Sequence, residues 1–138
     1  MNKQPNASFK IVTLVALLLF VVGCASTSTP SLLGTWVTTV SENEFPAAFG
    51  QWEWTLAADG RYSVRNLRTE GTVVEGRYTF TQDQIVVTDE SGPYICKGHE
   101  TATYKWSVEK DILTLTPIDD KCSTRALVLG LHTLSRKK

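Results

Sequence analysis

The sequence predicts an all-β domain: an antiparallel, up-and-down, eight-stranded β-barrel following an N-terminal signal peptide. Three observations lead there. From Leu32 onward apolar residues alternate with polar ones at period two rather than 3.6. Turn residues separate the alternating runs, and valine and threonine, which suit a pleated half-buried surface, are frequent. The chain has 138 residues, enough for one domain. Without its first 23 residues, which hold two lysines and no acid, it carries 12 basic and 14 acidic residues. That balance offers no electrostatic footprint for nucleic acid.

The N-terminus comes first. Met1–Lys10 is polar and carries Lys3 and Lys10, and Ile11–Val22 is apolar except for Thr13. This is the charged and apolar layout of a secretory signal peptide. Twelve residues span only about 18 Å as a helix, against a hydrocarbon core of about 30 Å. Val21-Val22-Gly23-Cys24 follows at once and resembles the lipobox of bacterial lipoproteins. The resemblance implies diacylglyceryl transfer to the Cys24 thiol, cleavage after Gly23 and acylation of the new N-terminus. Several acyl chains on one residue give stable membrane anchoring. Ser26 is not the aspartate that marks inner-membrane retention, so in a Gram-negative cell the expected place is the outer membrane, facing the periplasm. Residues 1–23 are then the signal peptide, 24–31 the lipidated cysteine and a small, polar, flexible tether, and 32–138 the barrel domain.

Strands are expected near 34–40, 51–57, 61–67, 72–81, 84–89, 101–109, 112–118 and 130–136. In the second, Trp52, Trp54 and Leu56 share a face; in the third, Tyr62 and Val64. The fourth sets Val74, Gly76, Tyr78 and Phe80 against Val73, Glu75, Arg77 and Thr79. The sixth sets Ala102, Tyr104, Trp106 and Val108 against threonines, Lys105, Ser107 and Glu109. Ala58-Asp59-Gly60 is a hairpin signal, and Gln82-Asp83, Ser91-Gly92-Pro93 and Lys110-Asp111 mark further turns. Glu44–Gly50 reads as a short helix or irregular loop, and Thr124–Leu129 as one helical turn. Closing such a sheet into a barrel removes its exposed edges.

Leu33-Gly34-Thr35-Trp36 opens the first strand with a Gly-x-Trp that resembles the lipocalins and related calycins. Trp54-Thr55-Leu56, Asp59-Gly60-Arg61-Tyr62 and Gly76-Arg77-Tyr78 resemble the hairpins of small bacterial lipocalin-like domains. The resemblance implies that Trp36 closes the barrel floor against an arginine from a late segment. Arg125 and Arg136 both qualify, and Arg125 is assigned to the floor.

Cys96 and Cys122 remain after Cys24. Register about the Lys110-Asp111 turn brings them to the same end of a hairpin, and export exposes them to oxidising conditions, so a disulfide is expected. A metal site of Cys96, His99 and Cys122 lacks a fourth ligand and needs reduced thiols. His99 reads as solvated and His132 as a strand residue, and no motif supports a catalytic set. No enzyme activity, cofactor or metal is expected. Trp36, Trp52, Trp54, Tyr62, Tyr78, Phe80, Tyr104 and Trp106 all fall on inward faces. They build either a packed core or a cavity for one small apolar or aromatic ligand, both compatible with eight strands. The expected function is the second, a membrane-anchored barrel that binds such a molecule, with Trp52, Trp54, Tyr62, Tyr78, Tyr104 and Trp106 as the wall. The alternative function is a protein-interaction module, inhibitor-like or an envelope assembly factor, using loops Glu42–Gly50 and Ser91–Glu100. Exposed Phe45, Pro46 and Phe49 would mark its interface.

Overall fold

The computed structural model describes Met1 and residues 31–138. Apart from those end residues, the signal peptide of 1–23, Cys24 and the tether of 24–31 lie outside the described residues. Eight antiparallel strands close into a barrel in chain order: β1 (Gly34–Val40), β2 (Gly50–Leu56), β3 (Arg61–Asn66), β4 (Gly71–Phe80), β5 (Gln84–Ser91), β6 (Thr101–Glu109), β7 (Ile112–Asp119) and β8 (Leu134–Arg136). Between β7 and β8 the chain forms a short helix α1 (Ser123–Arg125) that runs into a π-helical turn, Ala126–Gly130.

The turns give the barrel two unlike ends. At the hairpin end, tight turns join β2 to β3, β4 to β5 and β6 to β7. Lys110 and Asp111 both take positive φ, 47° and 66°, as a two-residue type I′ turn requires. At the loop end lie the turn 67–70 and the longer segments 41–49, 92–100 and 120–133. Side chains of alternate strand residues fill the interior, among them Trp54, Leu56, Ile85, Val87, Leu113 and Leu115. Gly76 occupies an inward position of β4 because a Cβ there would meet the Thr88 carbonyl at 2.2 Å and the Tyr62 ring at 2.7 Å. Its missing side chain is the space that Tyr62 fills.

Trp36 closes the hairpin end. It is fully buried, and its indole N–H donates to the Leu32 carbonyl at 2.9 Å. The guanidinium over its ring, 4.2 Å from the centroid, is that of Arg136, its partner across the β1–β8 pair. Arg136 also donates to the carbonyls of Leu33 (2.8 Å) and Ser31 (2.7 Å) and pairs with Asp111 at 3.1 Å. The assignment of Arg125 to the floor is therefore corrected. Arg125 belongs to the opposite end, held there by α1.

Three further expectations change. The last strand begins at Leu134, not 130, because the π-helical turn continues to Gly130, which packs against Pro117. His132 thus precedes the strand. Phe80 shares the inward face of β4 but sits at its last position, where the wall has run out, and is 50% exposed. Phe45 packs on the core and half-buried Phe49 lies under Arg68, whose guanidinium is 4.2 Å from its ring centroid; neither is an exposed loop aromatic.

Candidate functional site at the loop end

α1 and the π-helical turn sit in the mouth of the barrel and turn Arg125, Val128 and Leu129 inward. Arg125 is the centre of a buried polar cluster. Its Nε and Nη2 donate to the two oxygens of Asp120 at 3.1 and 2.9 Å, a bidentate pairing. Nη1 reaches Asp89 Oδ2 at 2.9 Å and the Glu100 carbonyl at 2.7 Å, and Nη2 also donates to the His99 carbonyl at 2.8 Å. All five N–H donors of the guanidinium are used.

Each carboxylate has further donors. The Tyr62 hydroxyl and the Cys96 backbone N–H (3.2 Å) donate to Asp89; the Tyr104 hydroxyl and the Cys122 backbone N–H (2.8 Å) donate to Asp120. Burial alone would raise the Asp120 pKa, but the bonds from Arg125, Tyr104 and Cys122 outweigh it and hold the carboxyl below its usual range. Burial, reinforced by the neighbouring carboxylate, raises the pKa of both Tyr62 and Tyr104. Burial opposes the charge on Arg125 too, and its two aspartates more than restore it.

Cys96 and Cys122 are joined by a disulfide, with Cα atoms 5.8 Å apart. It ties the 92–100 loop to the start of α1 beside the carboxylates that their own N–H groups bind. The metal alternative thereby loses its thiolates, and His99 is exposed.

Beneath this cluster lies a cavity of about 40 Å³, lined among others by Trp52, Tyr62, Asp89, Arg125, Val128 and Leu129. Of the expected ligand wall, only Trp52 and Tyr62 reach it. Trp54, Tyr78 and Tyr104 are buried elsewhere in the core, and half-buried Trp106 lies at the hairpin end. The space holds water-sized occupants and is well under the roughly 300–1,000 Å³ of small-molecule pockets.

Asp89 and Asp120 were missing from the sequence-derived candidates. Asp89 continues the inward row Ile85, Val87 on β5, and an acid at such a position calls for a buried cation. Asp120 reads as a turn former, and its partner five residues on becomes visible only once α1 is placed. Compared with protein families, with curated proteins and with solved structures, the chain matches none. Chemically the cluster is a saturated clamp: every donor of Arg125 is occupied within the protein, leaving none for a substrate.

Proposed function

We propose that the chain is an envelope lipoprotein, anchored through lipid on Cys24 and placed at the outer membrane facing the periplasm in a Gram-negative cell. Its lipocalin-like barrel serves as a non-catalytic scaffold that presents the loop end to a partner protein. The Trp36–Arg136 stack at the floor supports the lipocalin-like assignment. The observation that carries the functional reading is the filled interior, whose cavity amounts to only about 40 Å³. A barrel plugged by its own Arg125, Val128 and Leu129 leaves the surface to do the work.

At the loop end that surface is apolar in places: Tyr94, Ile118 and Leu131 are 47%, 55% and 73% exposed. Exposed aromatic and aliphatic side chains of this kind anchor interfaces. A photoreactive residue at position 94 should give one discrete cross-linked adduct in the envelope, lost in Leu131→Asp with an unchanged melting temperature. An adduct indifferent to Leu131→Asp and Ile118→Asp would count against this face.

A second reading keeps a small apolar ligand. It rests on the π-helical turn, a departure from regular helix found often at functional sites, which forms one wall of the cavity through Val128 and Leu129. Displacing that turn enlarges the space beside Trp52 and Tyr62. Saturable, one-site binding of an apolar fluorescent probe, weakened by Trp52→Phe, favours this reading over the first.

A further inference from the structure

We propose that the hairpin end of the barrel docks on the bilayer surface, with Phe80 and Trp106 as the side chains that enter the interfacial region. Phe80 is 50% exposed at the tip of β4. It meets the half-buried Trp106 of β6 edge to face at 6.3 Å and stacks on Tyr78 at 6.1 Å. The Trp106 indole N–H donates to the Thr81 carbonyl in the β4–β5 turn at 3.1 Å, and its backbone N–H donates to Asp83 in the same turn. The pair is therefore fixed between two neighbouring hairpins, not carried on a loose loop. Tryptophan and phenylalanine presented this way suit the boundary between headgroups and acyl chains.

Where the chain enters the barrel decides the occupant. Ser31 and Leu33 are held at this same end by Arg136, which also binds Asp111 of the β6–β7 turn. Cys24 lies seven residues before Ser31, a distance of at most about 25 Å however the chain runs. The inference rests on the lipid anchor proposed above, which keeps the hairpin end within that reach of the bilayer. Tethering at such short range makes a weak apolar contact effective, because the second contact becomes intramolecular. The exposed residues of the turns and strand ends here carry both signs, Lys105, Glu109, Lys110 and Asp111 beside Asp83. Mixed charge predicts docking through apolar side chains, without preference for an anionic headgroup.

The test uses the full chain labelled with palmitate, recovered from cells and placed with zwitterionic phospholipid vesicles, plain or brominated near the headgroup. Trp36, Trp52 and Trp54 are buried, so quenching by the brominated lipid reports on Trp106. Docking predicts a blue shift and quenching, both lost in Phe80→Asp, kept in Phe80→Leu, and unchanged when anionic lipid is added. A melting temperature in Phe80→Asp equal to wild type separates lost docking from lost fold; if that variant melts early, Phe80→Ser takes its place. Palmitate incorporation without quenching overturns the docking and leaves the anchor standing. Quenching without incorporation supports the docking surface and removes the anchor. Neither signal overturns both.

Discussion

Trp36 and Trp54 are buried to the same degree, yet only one indole N–H has a partner. That of Trp36 is bonded to Leu32, while that of Trp54 has no acceptor among the described residues. A buried donor left unpaired costs about 1–3 kcal/mol. Replacing Trp54 by phenylalanine removes that donor along with some packing, whereas Trp36→Phe orphans the Leu32 carbonyl and weakens the contact with Arg136. Urea denaturation should therefore rank Trp36→Phe as clearly more damaging than Trp54→Phe; the reverse order contradicts the hydrogen-bond assignment. Arg125 is the more severe case. Arg125→Met leaves Asp89 and Asp120 buried without a cation, a change that costs about 3–5 kcal/mol when one partner of a buried pair is removed. Arg125→Lys should recover little of that, because a single ammonium cannot reproduce a bidentate fork and three further bonds. A lysine variant as stable as wild type would show that charge alone, not the fork, holds the cluster.

At the scale of elements, the disulfide and α1 act as one unit. Cys96 and Cys122 enclose the 26-residue separation that contains the β6–β7 hairpin, and both flank the carboxylates bound to Arg125. Closing a loop of that size contributes about 3 kcal/mol in the chain-entropy model. The Cys96→Ser, Cys122→Ser pair should lower the urea midpoint accordingly, and hydrogen exchange should quicken first over 120–133. Uniform quickening throughout the barrel would mean that the plug is not a separate element. The strands were legible because alternation and turn chemistry are local, and seven of the eight fall within two residues of their expected bounds. The plug was not. Leu127, Val128, Leu129 and Leu131 make a short apolar run, which periodicity cannot assign to strand or helix. Alternation also gives a face but no depth: Phe80 and Trp106 point the same way as Tyr78 and Tyr104, yet lie where the wall ends. Likewise two late arginines were visible, but choosing Arg136 for the floor required the β8 register, which three residues of sequence do not specify.

For the whole molecule, the buried cluster sets a stability limit at each end of the pH scale. Asp120 titrates lower in the fold than its ordinary 3.8, so the unfolded chain binds the proton more readily. Its contribution is present above about pH 4 and is lost as pH falls through the folded value. Tyr62 and Tyr104 are shifted the opposite way, upward from 10.0. Their contribution is complete below about pH 10 and is lost as pH rises, because the unfolded tyrosines ionise while the folded ones hold their protons. The melting temperature should thus be level through neutrality and fall on both sides. Because the limbs belong to different residues, they separate by mutation. Asp120→Asn should flatten the acid limb while lowering the plateau, since the amide cannot carry the charge that Arg125 pairs with. Tyr104→Phe should weaken the alkaline limb and leave the acid limb shallower, because Asp120 loses one of the donors that keep it ionised and its folded value moves up toward the unfolded one. An alkaline limb unchanged in the Tyr62→Phe, Tyr104→Phe double variant would assign that loss of stability to groups outside the cluster. That shallower acid limb in Tyr104→Phe is the more informative result: a smaller pKa difference releases less stability on acidification, so the size of the change measures how much of the Asp120 shift the tyrosine supplies. An unchanged limb would assign the shift to Arg125 and the Cys122 N–H.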